Sequence, residues 1–347
     1  MSFEPGPVRA AHRFDEAALE RYLRANMAGF APPLTVQQFG GGQSNPTFLL
    51  TAGGKRYVLR KKPPGQLLKS AHQVDREYRI MKALAQTDVP VPRMHVLCED
   101  ESVIGTSFYV MDFLEGRIFR DPQLPGLSPL ERSAIYDNMN DVLARLHKVD
   151  YAKVGLGDFG KAGNYFDRQI ARWITQYRAA QTDQIPEMER LIEWMPLNIP
   201  KDDSVSIAHG DYRLENTIFH PTEPRMIAVL DWELSTIGHP LADLAYNCMG
   251  YHVMNPRQGG LVGLDYAATG IPSEQDYVER YCRRVGRVRI ENWSFYVSFS
   301  VFRLASISQG VYKRGIDGNA SSENAATLGN SCRFLAEHAW RLANERL

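Results

Sequence analysis

The chain has 347 residues, more than one compact core usually holds, so two lobes are expected. Its 40 Lys/Arg balance 40 Asp/Glu, which removes any broad electrostatic reason to bind nucleic acid or an anionic membrane. No segment offers the roughly 18 apolar residues of a membrane span, the amino-terminal MSFEPGPVRA lacks the apolar core of a signal peptide, and Cys98, Cys248, Cys282 and Cys332 are scattered without CxxC pairs, so a cytoplasmic protein with reduced thiols is expected.

In chain order, residues 15–28 read as an amphipathic helix with Asp15 as its cap. Residues 36–39 and 47–51 read as strands on either side of Gly40, Gly41, Gly42, Gln43, Ser44 and Asn45. Glycines let backbone N–H groups approach phosphates, which makes Gly41, Gly42, Ser44 and Asn45 candidate nucleotide contacts; the same run, lacking GxGxxG spacing, also suits a plain hairpin loop. A turn at 52–55 leads to a third strand, RYVLRK. Alternation puts Val58 and Arg60 on one face and Leu59 and Lys61 on the other, so only one of the two basic residues can point toward phosphates.

The next helix, 71–86, carries Val74, Met81, Leu84 and Ala85 at helical spacing, with Glu77 on the same inward stripe. A carboxylate there needs a partner, unless it only flanks the stripe and meets water. Residues 108–114 (FYVMDFL) form an apolar strand leading into a hinge at 115–117. From Ser128 onward helices dominate, including 131–148, 165–178 and 186–195; His147, four residues from Leu143 on an apolar face, is expected to be a packed core histidine.

Two strings carry the chemistry: HGDYRLEN (209–216) and VLDWE (229–233). Between them, TIFH, PTEP and MIAVL read as strand, turn and returning strand, so Asn216 and Asp231 are expected at one open end of a hairpin. Mg²⁺ takes a few protein oxygens and completes its octahedron with water and phosphates; one amide oxygen and one carboxylate suit it. Asp211, on the loop leading into the hairpin, can accept a hydroxyl proton. His209 and His239 belong to no HExxH or Cys/His cluster, which argues against zinc.

HxDxxxxN followed by a hairpin and an Asp resembles the catalytic and metal-binding loops of the protein-kinase-like fold. HGD, the Trp after Asp231 and GHPLADLAY (238–246) resemble the aminoglycoside phosphotransferase and choline kinase branch. The resemblance implies an α+β, two-lobed fold: a small antiparallel-sheet lobe with one main helix at 1–114, and a larger, mostly helical lobe at 115–347 bearing the catalytic loop, metal-binding hairpin and acceptor site. It implies ATP and Mg²⁺ as cofactors, Asp211 as catalytic base, Arg213 as a contact to the transferred phosphoryl group, Asn216 and Asp231 as metal ligands, and Asp243 as an acid bracing the loop, with His209 structural. Aligning YVLR with the VAIK strand of kinases selects Arg60 over Lys61, pairs it with Glu77, and brings the backbone of Met111 to Phe113 to the adenine. Trp232 and Glu233 replace the Phe-Gly of DFG, which argues against a Gly-dependent activation switch.

GGGQSNPTFLL, YVLRKKPPG, FYVMDFLEGR, HGDYRLEN and SISQGVYKR together resemble the kinase-like domain at the amino end of some acyl-CoA dehydrogenases. That resemblance spans nearly the whole chain. It implies transfer of the γ-phosphoryl group of ATP to a hydroxylated small molecule, a hydroxyacyl-CoA or hydroxy acid, with a separate acyl-CoA dehydrogenase as partner. Arg283, Arg284, Arg287 and Arg289 lie in a stretch from Ala245 onward with twelve Lys/Arg against nine Asp/Glu; they suit an anionic acceptor better than a polycation, unless they form a solvated helix face. Residues 258–263 and 315–322 read as surface loops bordering the acceptor site. The alternatives are an aminoglycoside or amino-alcohol kinase, and a catalytically silent nucleotide-binding module.

Overall fold

The computed structural model describes residues 4–40, 45–63, 73–254, 259–318 and 329–345. The chain forms two compact units, Met1–Arg117 with Thr217–Leu234, and Ile118–Asn216 with Ser235–Leu347.

In the first unit, helix α1 (Glu16–Asn26) starts at Asp15, whose carboxylate accepts the Ala18 N–H at 2.9 Å. Strands β1 (Leu34–Gln38), β2 (Thr47–Ala52) and β3 (Lys55–Lys61) are followed by helix α2 (Val74–Leu84), then β4 (Met94–Cys98) and β5 (Phe108–Asp112). They build one antiparallel five-stranded sheet in the order β1-β2-β3-β5-β4. Strand alternation sorts its faces. Phe48, Leu50, Tyr57, Leu59, Phe108 and Val110 pack with Leu19 and Leu23 of α1 and Met27 just after it. The other face turns Arg60 toward α2, where Val74, Ile80, Met81 and Leu84 are buried together with Glu77.

The hairpin Thr217–Phe219/Met226–Val229 also belongs to this unit, although helices of the second unit flank it in sequence. Arg117 and Phe219 exchange both backbone hydrogen bonds, at 2.8 and 2.9 Å, and the Val229 N–H donates to the Pro90 carbonyl at 2.9 Å. Gly116 permits that approach: a Cβ there would lie 2.3 Å from the Phe219 carbonyl oxygen.

The second unit is mostly helical: α3 (Pro129–Lys148), α4 (Tyr165–Ala180), α5 (Pro186–Leu197), a short ribbon of Ser206–Ala208 with Thr236–Gly238, α6 (Pro240–Cys248), α7 (Tyr266–Thr269), α8 (Glu274–Val285), α9 (Trp293–Ile316) and α10 (Gly329–Asn344). A reciprocal capping box of Ser128 and Glu131, with Pro129 at the first turn, begins α3 two residues before the sequence-based start. Phe295, Tyr296, Val297, Phe299, Val301 and Phe302 of α9 are all buried, so its apolar residues cover every face and leave no single stripe for periodicity to find.

The arginines near the end of α8 could form either an anion site or a solvated helix face on the sequence alone, and the structure gives most of them partners. Arg284 pairs with Asp137 at 2.8 Å, Arg287 with Asp202 at 2.5 Å and Arg289 with Glu291 at 2.9 Å. Carboxylates of the chain itself therefore balance three of the four; only Arg283 stands exposed without such a pair among the described residues.

Candidate active site

In the first unit the site is built around Arg60. Its Nη1 lies 2.8 Å from Glu77 Oε2 and its Nη2 2.7 Å from Asp231 Oδ1, with Glu233 at 3.9 Å. Glu77 is fully buried and accepts two further hydrogen bonds, from the Asn45 amide at 2.7 Å and the Tyr109 hydroxyl at 3.0 Å. Burial pushes the Glu77 carboxyl up to about 7, against the pull of Arg60. For Arg60, burial acts downward, but Glu77 and Asp231 outweigh it and hold the guanidinium well above its ordinary value. A planar, permanently charged fork suits this position because two carboxylates approach it from different elements.

Lys61 has another role. Its ammonium lies 5.8 and 5.9 Å from the Phe14 and Phe48 rings, on the α1 side of the sheet, and burial lowers its pKa. The pleat thus decides between the two basic residues.

Asp231 follows the hairpin with φ 63°, a left-handed backbone that Asp tolerates better than most residues. Trp232 anchors the turn: it is fully buried and its Nε1–H donates to the Val229 carbonyl at 3.0 Å. With Oδ1 on Arg60 and about a third of the side chain exposed, Asp231 keeps Oδ2 without a partner among the described residues.

In the second unit the loop after Ser206–Ala208 carries Asp211. Asp243, nearly completely buried on α6, accepts the His209 N–H at 2.5 Å and the Gly210 N–H at 2.7 Å. Burial acts to raise the Asp243 carboxyl, but His147 and these donors outweigh it and hold it below the usual range. His147 is enclosed, its Nδ1 2.6 Å from the Tyr281 hydroxyl and its Nε2 3.4 Å from Asp243. His209 is fully buried, and its Nδ1 accepts the Asp211 N–H at 3.2 Å, a structural hydrogen bond.

Beyond Asp211 a 3-10 turn (Leu214–Asn216) folds Asn216 back. The Asn216 amide donates to the Asp211 carbonyl at 2.9 Å and to Asp211 Oδ2 at 2.8 Å. Its Oδ1 is left without a partner among the described residues. Arg213 lies 3.3 Å from Asp211 Oδ1 and also pairs with Glu215.

The structure therefore brings Arg60, Glu77, Asn45 and Asp231 together in one unit, and Asp211, Arg213 and Asn216 in the other. The Asn45 side-chain amide donates to Glu77 and so supports the buried acid. Met111 sits inside the ladder, opposite Val58 and Met94, and Phe113 is the first residue beyond β5, stacked under the Arg56 guanidinium at 4.3 Å. Gly41, Gly42 and Ser44 lie outside the described residues. Sequence reasoning missed Tyr109, the third donor to Glu77, and Arg303, whose Nη2 donates to the Gly210 carbonyl at 2.8 Å. Tyr109 was open to the alternation argument; Arg303, 93 positions from Gly210, carries no local signal.

With this geometry in hand, residues 35–279 match the phosphotransferase enzyme family. The chain belongs to that family. It is 48% identical over 342 residues to mouse acyl-CoA dehydrogenase family member 10, a match covering 98% of this chain and 32% of that protein, so the chain spans about a third of that relative's length. A Ralstonia eutropha protein, provisionally designated an aminoglycoside phosphotransferase, is 53% identical, with a TM-score of 0.89 over 95% of this chain and 98% of that one. Choline kinase from Cryptosporidium parvum shares 13% identity at a TM-score of 0.67, covering 94% and 95% of the two chains, which shows the common fold. Membership of the phosphotransferase family stands on the family match, and the α+β, protein-kinase-like architecture on the structural neighbours. Among the described residues no helix is long and apolar enough to cross a membrane.

Proposed function

We propose that the chain transfers the γ-phosphoryl group of ATP to the hydroxyl of a hydroxyacyl-CoA or hydroxy acid. The observation that carries this reading is the Asn216–Asp211 lock: both contacts of the amide nitrogen go to Asp211, which orients the carboxylate and turns Oδ1 into a ligand for a hard cation. Thr217 pairs with Val229, Asn216 immediately precedes Thr217, and Asp231 follows Val229 by two residues, which supports assigning the unpartnered oxygens of Asn216 and Asp231 to one Mg²⁺. Such an ion, when bound, offsets charge on the phosphate oxygens.

Arg60, held by Glu77, supplies positive charge toward the phosphates, and Arg213 a second cation toward the transferred group. The backbone of residues 40–45 is assigned to the phosphates, and that of Phe113, just past the ladder, to the adenine; Met111 would hold the strand in place. Asp211 orients the acceptor hydroxyl and receives its proton. The acyl acceptor is suggested by the 48% identity to an acyl-CoA dehydrogenase family member, as is a dehydrogenase acting on the same acyl chain as partner.

Substituting Asp211→Ala should leave the Mg-ATP thermal shift intact and reduce acceptor-dependent ADP release by at least about 10²-fold, the scale of a lost general base. Wild-type transfer by that variant would falsify the assignment.

A further inference from the structure

Arg303, on α9, is placed unusually for a half-buried cation. Its Nη2 donates to the Gly210 carbonyl at 2.8 Å, and its guanidinium carbon lies 5.2 Å from the centre of the Tyr246 ring and 5.5 Å from that of Trp173. Gly210, with φ 84°, directly precedes Asp211, and its N–H is held by Asp243 at 2.7 Å. The residue next to the proposed base is thus held through both its backbone N–H and its carbonyl.

The charge balance is the second observation. Arg284 and Arg287 of the same unit each meet a carboxylate. Arg303 meets none among the described residues. Its Nη1 has no hydrogen-bond partner there, its Nε is buried unpaired, and the Trp173 indole nitrogen beside it is also buried without a partner. Aromatic faces favour a cation but accept no ordinary hydrogen bond from its N–H groups. Guanidinium and indole are donors only, so what completes them must present an acceptor oxygen; an ammonium-bearing molecule would meet like charge and no acceptor. The Tyr246 phenol fits the same surroundings, raised by burial and then by the Asp211 carboxylate, with Arg303 pulling the other way.

We propose that Arg303 selects the acceptor: Nη2 holds Gly210, and Nη1 receives a carboxylate or carbonyl oxygen of the hydroxylated molecule beside Trp173 and Tyr246. The inference rests on the phosphotransferase reading of Asp211 and adds the chemistry of the acceptor's other end.

Calorimetric titration of the full chain with Mg²⁺ and a non-hydrolysable ATP analogue tests it, using butanoate, its pantetheine thioester and choline as probes. Because the two oxygen probes carry no hydroxyl, their binding is read without transfer. At least one should bind ten times more tightly than choline, and the better of the two distinguishes a carboxylate from a thioester carbonyl. Arg303→Gln should weaken it at least tenfold in protein that still shows a cooperative melting transition, even though losing the Gly210 bond lowers that transition. If that variant does not fold, Arg303→Lys, which keeps the charge but cannot span both oxygens, should weaken it at least threefold. Oxygen probes that bind no more tightly than choline, or equally well to the variants, overturn the proposal. ADP release with the hydroxylated counterparts is scored separately: binding without transfer retains Arg303 and removes the Asp211 reading, whereas transfer that is indifferent to Arg303→Gln does the reverse.

Discussion

Replacing Asp243 with Asn changes almost no volume, so its cost measures how much the catalytic loop depends on a buried negative charge. The carboxylate receives N–H groups from His209 at 2.5 Å and Gly210 at 2.7 Å, one on each oxygen. An amide keeps a single acceptor oxygen and points an NH₂ group at the other N–H. One charge-assisted hydrogen bond is then lost, about 1.5–3 kcal/mol, and a buried donor is left unsatisfied at a further 1–3, so about 3–5 kcal/mol is expected for Asp243→Asn. Urea unfolding at pH 7 reads that loss directly. Because the same two peptides position Asp211, acceptor-dependent ADP release should fall by about 10²-fold even where the variant is fully folded, the scale of a 1 Å misplacement of a reacting group. A loss below about 1 kcal/mol together with an unchanged turnover would refute the reasoning, since neither N–H would then depend on the carboxylate.

Arg60→Met leaves Glu77 and Asp231 without their shared cation and should cost about 3–5 kcal/mol, with Glu77→Met/Arg60→Met recovering part of it in a double-mutant cycle; additive losses would show that the pair is not coupled. His239 predicts an acid-sensitive second unit. Its Nδ1 caps α6 by accepting the Leu241 N–H at 3.2 Å, a bond only the unprotonated ring can accept, and burial lowers its pKa from 6.5 to about 4. The folded state therefore resists a proton that the unfolded chain takes up. Stability from this group is complete above about pH 6.5 and is lost as pH falls toward 4, by roughly 3 kcal/mol in total. Urea midpoints across that window should flatten in His239→Asn, whose side chain can still cap; an unchanged slope would remove His239 as the cause.

Much of the site was legible because its signals are local. Asp211, Asn216 and Asp231 lie in two short strings joined by a hairpin, and Glu77 betrayed its inward direction through helical period alone. The same period left Glu77's partner open, since nothing in the letters measures the distance from α2 to β3. The arginines around the end of α8 show what a one-dimensional count leaves open: Arg284 and Arg287 suited either an anion site or a solvated helix face, whereas Asp137 and Asp202, on other elements, balance them.

What the linear order determined by itself was the set of groups proposed for phosphoryl transfer and the turns that present them, because hydrogen-bond spacing and side-chain alternation act over a few residues. Tertiary structure shows Arg60, which the resemblance had selected over Lys61, meeting Glu77, and it alone decided that the hairpin packs with Arg117 and Pro90 and that Arg303 arrives at Gly210 from 93 positions away. Those choices depend on which faces are buried against each other, and partners distant in sequence leave no periodic trace before the chain folds.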